Sequence, residues 1–222
     1  DIPAFLRAAF STFEASETAC MRKGIFRVNS SELMMTQLMG RIDAGEAPAV
    51  VLAGADPLLV ANMIKKWFHM LPKAVIFFED FNEALESKDP DAFKALIDTK
   101  LTPTERFIVM GLFATLRRIK EHKKENEMNL HNLCVVTAPF LVRPRSASSA
   151  MLCSGTSAAI VKFIFKNFDV LFRDVALEHS RFVRHARKRS QTQASVPFIR
   201  GSPDDIYKDR RKSSIVPGTV HV

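Results

Sequence analysis

The stretch Lys23-Gly24-Ile25-Phe26-Arg27-Val28-Asn29-Ser30 lies between two segments, residues 2–17 and 32–45, whose apolar side chains recur at helical spacing. Gly24 permits a sharp turn, and the two apolar residues that follow it are suited to anchor that turn in a core. The stretch therefore predicts a short loop between two helices. The loop presents one arginine, Arg27, to solvent.

Start signals for further helices recur along the chain. Asp56-Pro57, Asp89-Pro90 and Thr102-Pro103 each place a capping side chain directly before a proline, an arrangement typical of the first turn of a helix. Asn129 is expected to cap a shorter helix, and Pro139 is expected to end it. These signals predict a series of helices joined by short loops.

Two more helices are predicted from weaker patterns. Residues 29–32 resemble a capping box, with an acid three residues after a polar cap, and the helix that follows carries the apolar residues Leu33, Met34, Leu38 and Ile42. A last apolar helix should begin at Thr156 or Ser157 and continue through Phe172. The sequence has no sustained alternation of apolar and polar residues, so no strands are predicted. The expected fold class is all-α, a compact irregular helical bundle.

The composition agrees with a core of useful size. Of 222 residues, 47% are hydrophobic and 18 are Phe, whereas 8 Gly are too few for a fold rich in tight β-turns. Three scattered cysteines form no disulfide framework or zinc site, which favours a reducing compartment. The apolar runs are too short or too broken to cross a bilayer, and no signal peptide is visible at the start. We expect a soluble, cytoplasmic protein.

The net charge of +8 is concentrated near one end of the chain. Residues 180–222 hold ten Lys or Arg against three Asp, which leaves 22 basic and 21 acidic residues for the remainder. The last part is also rich in Ser, Thr, Gln and Pro, as flexible segments are. We therefore predict a helical domain over residues 1–178 and a basic, flexible tail over 179–222.

Several kinds of chemistry have no sequence support. Neither the phosphate-binding P-loop pattern nor the dinucleotide-binding glycine pattern occurs, and the six histidines include no close metal-binding pair. No serine-hydrolase elbow is visible. A self-contained hydrolytic or redox enzyme is therefore disfavoured, and no cofactor or metal of the chain's own is expected.

The loop and three later segments resemble the RhoGAP domain family, activators of Rho-type GTPases. Gly24-Ile25-Phe26-Arg27 is similar to the family's glycine-isoleucine-phenylalanine-arginine signature. Three further motifs follow in the same order as in the family. They are a lysine-bearing helix that ends in Leu-Pro, a pair of N-x-M and N-L motifs, and a final A-P-x-L motif. In this chain these are residues 61–72, residues 126–133, and Ala138-Pro139 with Leu141.

The resemblance implies the RhoGAP fold and a regulatory function. Arg27 would be the catalytic arginine finger, which enters the active site of a GTP-bound Rho- or Rac-type GTPase and speeds hydrolysis there. Lys65, His69 and Asn132 would bind the GTPase, and Lys65 and Asn132 would also hold the finger loop. Mg²⁺ and GTP would be carried by the partner, so the chain would regulate an enzyme in cytoskeletal signalling rather than be one.

Several positions depart from the family pattern. The family commonly has an arginine at His69, an acid at Met70 and Lys23, and different residues at Lys73 and Ala74. A histidine lacks the permanent charge and the paired donors of arginine, so docking is expected to be weaker or pH-dependent. These departures keep a second interpretation open, a module of the same fold that binds GTPases with weak or no activation.

The basic tail has its own alternatives. Arg181–Arg189 and Arg210–Lys212 would suit anionic membrane lipid, which would bring the protein to a membrane surface. Nucleic acid is the less favoured partner, and a solvated tail without a function is the plainest interpretation. Ser190, Ser213 and Ser214 follow basic clusters, where phosphorylation would weaken attraction to lipid.

Overall fold

The computed structural model describes residues 2–146 and 154–175, without the side chain of Ser154. Most of this part is helical. The helices are α1 (Ala4–Ala15), α2 (Glu17–Cys20), α3 (Glu32–Asp43), α4 (Pro48–Val51), α5 (Pro57–Met70), α6 (Phe78–Ser87), α7 (Pro90–Lys100), α8 (Pro103–Glu121), α9 (Lys123–Asn126), α10 (Leu130–Leu141), α11 (Ser154–Lys166) and α12 (Phe168–Leu171).

Two short strands are the exception that the sequence did not predict. Strand β1 (Ile76–Phe77) pairs in parallel with β2 (Val142–Arg143), with Ile76 opposite Val142. Two residues are too few to show an alternating pattern. Because the rest of the described chain is built from helices, the all-α fold class is confirmed.

The predicted starts of the three proline-led helices are confirmed. The Asp56 carboxylate accepts a hydrogen bond from the Leu58 amide, and Asp89 accepts one from Asp91. At Thr102 the box is reciprocal, because Glu105 accepts from the Thr102 amide while the Thr102 hydroxyl accepts from the Glu105 amide. Each cap satisfies backbone donors that the helix leaves free.

Helix α3 begins later than predicted. Ser31 caps it by accepting a hydrogen bond from the Met34 amide, so the capping box expected over residues 29–32 is wrong. This start turns a different face inward. Met35 is buried, whereas Leu33 and Met34 are exposed. Of the four apolar residues expected on this helix, Leu38 and Ile42 pack against the core, and Leu33 and Met34 do not.

The end of α10 and the last helix also differ from the prediction. Helix α10 continues past Pro139 to Leu141. Proline cannot donate to the Val135 carbonyl four residues earlier, and Val135 is an exposed residue, so the helix leaves this acceptor on its outer side. Helix α11 begins at Ser154 and is separated from α12 at Asn167, whose side-chain amide donates to the Phe163 carbonyl.

The core is filled mainly by phenylalanine and branched aliphatic side chains. Helix α1 lies close to α8 because Gly111 has no side chain. A Cβ there would meet the Phe10 ring at 2.9 Å. The fully buried rings are Phe13, Phe26, Phe68, Phe81, Phe93, Phe113, Phe140 and Phe172. Helix α1 and the short α2 thus form a fixed base for the loop that follows.

The predicted tail, its lipid contact and the serines Ser190, Ser213 and Ser214 lie outside the described residues. Among residues 2–146 and 154–175, no helix combines the length and the apolar composition that a membrane crossing requires.

Candidate functional site

The 23–30 loop contains a tight turn between α2 and α3. The Gly24 carbonyl accepts hydrogen bonds from both the Arg27 and the Val28 amides, each at 2.8 Å. Gly24 has a φ of +71°, and a Cβ at this position would come within 2.5 Å of the Val28 side chain. Glycine is therefore required here for its backbone and for its lack of a side chain.

Phe26 adopts a backbone conformation that bulky residues rarely tolerate. Its φ is +64°, in the left-handed region, yet its ring is fully buried and lies 6.2 Å from the ring of Phe13. The buried ring fixes the conformation. Strain of this kind is concentrated at functional sites, and here it directs the next side chain, Arg27, out of the core.

Helix α5 holds the backbone on both sides of Arg27. The Lys65 ammonium donates to the Phe26 carbonyl at 3.1 Å and to the Asn62 side-chain oxygen at 3.3 Å. The Asn62 amide donates to the Val28 carbonyl at 2.9 Å. Burial lowers the pKa of Lys65. The predicted site residue Lys65 is thus placed directly against the loop.

A second support comes from the 126–128 bend, which is Asn126, Glu127 and Met128. The Asn126 side chain is fully buried, and its amide donates to the Cys20 and Ile119 carbonyls at 2.8 and 2.7 Å. Its backbone carbonyl accepts from the Gly24 amide at 2.8 Å. Asn126 therefore joins the ends of α2 and α8 to the start of the loop.

The predicted residue Asn132 lies behind this bend. Its backbone amide donates to the capping side chain of Asn129, as predicted, and its side-chain amide donates to the Glu127 carbonyl at 3.0 Å. Asn132 thus braces the bend that meets the loop. Its contacts are to the bend, whereas those of Lys65 are to the loop itself.

Arg27 leaves this frame with much of its side chain free. The Arg27 side chain is 45% exposed, and its guanidinium pairs with the Glu127 carboxylate at 3.4 Å. This distance is long for a charge-assisted hydrogen bond and the pair is exposed, so the interaction is weak. The backbone is fixed at the base of the arginine, and its tip can reach outward.

His69 lies at the end of α5, one turn beyond Lys65. The residue is exposed as a whole, but its ring meets Phe140 edge-on, with centroids 6.2 Å apart, and is thereby partly shielded from water. Burial first, and then the charges of Arg143 and Lys65, lower the pKa of His69. The lowered pKa favours the neutral form of His69, which therefore does not replace the permanent charge of an arginine.

The lowered pKa of His69 gives a prediction for folding. The native state resists protonation of His69, whereas the unfolded state does not. The stability contributed by neutral His69 is therefore fully present above the unfolded pKa of about 6.5 and is lost as the pH falls below it. We expect His69→Gln to lose less stability than the wild type between pH 7.5 and 5.0. Urea midpoints at both pH values measure this, with the exposed His131→Gln as control. Equal losses in both variants would contradict it.

Sequence reasoning missed two sets of residues at this site. Asn62 and Glu127 contact the loop through long-range pairs, although Asn62, one turn before Lys65 on α5, could have been noticed. Val28, Met70 and Val135 are exposed apolar residues, 43%, 64% and 49% accessible. Val28 and Met70 directly follow Arg27 and His69 in the chain, and Val135 lies three residues after Asn132 on α10. Each of these candidate residues therefore has an exposed apolar residue close to it in sequence.

Comparisons with known proteins place the relatives of this chain in one domain family. The model of the RhoGAP domain family matches residues 3–146. The Rho GTPase-activating protein gacJJ of Dictyostelium discoideum is 28% identical over 131 residues, 56% of this chain and 15% of that protein. The human Rho GTPase-activating protein 45 is 23% identical over 229 residues, 87% of this chain and 20% of that protein.

Two solved structures share the fold. The human Rho GTPase activating protein 15 superposes with a TM-score of 0.63 at 21% identity, covering 77% of this chain and 84% of that one. The BH domain from GRAF, the GTPase regulator associated with focal adhesion kinase, gives 0.63 at 18% identity, covering 77% and 93%.

The chain belongs to the RhoGAP domain family, whose model matches well over half of it. It spans only a small part of the length of the curated relatives that it matches.

Proposed function

We propose that this domain stimulates GTP hydrolysis by a GTP-bound Rho-family GTPase and that Arg27 enters the partner's active site in trans. The observation that carries the proposal is the 23–30 loop itself, a strained and buried turn that presents one half-exposed arginine. Membership of the RhoGAP family supports the class of partner.

The chemistry requires a cation at one place. As the bond to the leaving phosphate breaks, charge develops on the phosphoryl oxygens, and a guanidinium there stabilises it. Arg27 is permanently protonated and offers several donors in a fixed plane. Gly24, Phe26 and Lys65 fix the backbone at its base, so little ordering of the loop remains for the encounter with the partner.

The surroundings of Arg27 suit a protein partner. Protein interfaces combine an apolar centre with a polar rim, so exposed apolar side chains close in sequence to polar candidate residues fit such a surface. Val28, Met70 and Val135 would supply apolar contact, and Lys65, His69 and Asn132 polar contact. Mg²⁺ and GTP would come with the GTPase, so this chain would act as a regulator and form no bonds itself.

A panel of GTP-loaded Rho- and Rac-type GTPases tests the proposal. Phosphate release is measured with and without the domain, at fixed GTPase and rising domain concentration. We expect saturable stimulation of at least one GTPase. Stimulation of none would contradict an activator, and tight capture of a GTPase without any change in rate would favour the alternative, a binding module of the same fold.

Lys65 is predicted to position the arginine. Lys65→Met removes the donor to the Phe26 carbonyl, so we expect a roughly tenfold loss in the maximal rate of stimulated hydrolysis, with a smaller change in the domain concentration for half-maximal effect. Single-turnover hydrolysis measures both. Lys66→Met is the matched control, because Lys66 pairs with Glu32 on α3. Equal loss in both variants would contradict the positioning.

A further inference from the structure

Three charged side chains meet beside the tip of the 23–30 loop. The Glu127 carboxylate binds the Lys23 ammonium at 2.7 Å through one oxygen and the Arg27 guanidinium at 3.4 Å through the other. The arginine that the proposed function assigns to the partner's GTP is thus paired within its own domain. The Lys23 side chain is mostly open to solvent, and those of Glu127 and Arg27 are nearly half exposed.

Glu127 is held in place by its backbone. Its φ is +61°, in the left-handed region, and its carbonyl is bound by the Asn132 side chain at 3.0 Å. Its neighbours Asn126 and Met128 are both fully buried. The carboxylate is therefore presented to Arg27 by a fixed bend.

The carboxylate is charged under physiological conditions. The hydrogen bond from Lys23 is the main cause that lowers the pKa of Glu127, and Arg27 lowers it further. A full negative charge consequently stands beside the guanidinium at neutral pH.

This charge opposes the chemistry of the arginine in two ways. The guanidinium must weaken its pair with Glu127 before it can bind phosphate oxygens, and the carboxylate repels the same oxygens as they approach. We propose that Glu127 is an inhibitory counter-ion of Arg27, which opposes transfer of the guanidinium to the partner's phosphates. The inference rests on the proposed function, and it makes Glu127 a positioning residue that limits the stimulated rate.

Lys23 has the opposite role in the same cluster. It binds the carboxylate at the shorter distance and competes with Arg27 for it. Removal of Lys23 should therefore strengthen the hold of Glu127 on Arg27.

The test is stimulated hydrolysis by charge-neutral variants. Glu127→Gln is expected to raise the maximal rate roughly two- to fivefold, the size that exposed ion pairs allow, and to change the half-maximal concentration less. Glu125→Gln removes the same charge two residues earlier and should leave the rate unchanged. Glu127→Asn, which suits the left-handed backbone, should repeat the gain if Gln disturbs the bend.

A variant of Lys23 gives a second test, in which the expected change in the maximal rate is a decrease. Lys23→Met alone should lower the maximal rate, and in the Glu127→Gln background it should have no effect. If Lys23→Met lowers the rate equally in both backgrounds, Lys23 acts on the GTPase directly and the proposed competition is overturned.

A measurement on the free domain separates this inference from the proposed function. In ¹³C NMR titration, Arg27→Ala should raise the pKa of the Glu127 carboxyl, and no change would overturn the pairing. If the wild type stimulates a GTPase but neither neutral variant is faster, only the counter-ion inference fails. If the wild type stimulates no GTPase while the pairing is present, the proposed function fails, and the inference fails with it.

Discussion

Replacement of Arg27 by alanine is expected to lower the maximal rate of stimulated GTP hydrolysis by about 10³–10⁵-fold, the contribution of an arginine supplied in trans. The loop should keep its shape, because Gly24, Phe26 and the contacts from α5 do not involve the Arg27 side chain. Binding to a GTPase loaded with a non-hydrolysable nucleotide should therefore largely persist. Single-turnover hydrolysis and a binding titration measure the two effects separately.

Two further variants define this result. Arg27→Lys keeps one charge but loses the planar set of donors, so it should recover only a small part of the rate. Arg22→Ala is the matched control, because Arg22 lies just before the loop and its guanidinium pairs with Asp56 at 3.0 Å. An Arg27→Ala domain that stimulates like the wild type would eliminate the finger, and loss in Arg22→Ala as well would indicate a general charge effect.

Replacement of Asn126 by alanine is expected to cost about 2–4 kcal/mol in the free energy of unfolding. The change leaves the Cys20 and Ile119 carbonyls without their buried donor, and the Met128 amide loses the acceptor that it reaches at 2.7 Å. Unfolding by urea, monitored by circular dichroism, measures the loss.

The control for Asn126 is another asparagine nearby. Asn129 is exposed and caps α10, so Asn129→Ala should cost only about 1 kcal/mol. The Asn126 carbonyl also accepts a hydrogen bond from the Gly24 amide. We therefore expect the Asn126 variant to stimulate GTP hydrolysis more slowly even under conditions in which it is folded. If both variants lost the same free energy of unfolding, the buried hydrogen bonds of Asn126 would not contribute the stability expected of them.

The sequence predicted features whose causes are local. Asp56, Asp89 and Thr102 cap their helices through atoms two or three residues away, so a short window contains the whole interaction. Arg27 and Lys65 were found through a family resemblance carried by several ordered motifs. The start of α3 was misjudged because Asn29 and Ser31 are both good caps in isolation, and the start at Ser31 is the one that buries Met35.

Features that depend on distant partners could not be predicted. The Arg27–Glu127 pair joins positions 100 residues apart, and the bond from Lys65 to the Phe26 carbonyl spans 39. The left-handed conformation of Phe26 is invisible in a local window, because phenylalanine alone disfavours it. The contacts with Phe13 and Lys65 that hold this residue come from α1 and α5.

The conformation of Phe26 also limits how the loop can be used outside its domain. A synthetic peptide of residues 20–32 would contain Gly24, Phe26 and Arg27, but not α5, α8 or the 126–128 bend. The left-handed state of Phe26 costs roughly 1–2 kcal/mol, so without its buried pocket a free peptide would populate it in only a small minority of molecules. Transplanting this arginine into another scaffold would therefore require the pocket and the α5 donors as well as the sequence of the turn.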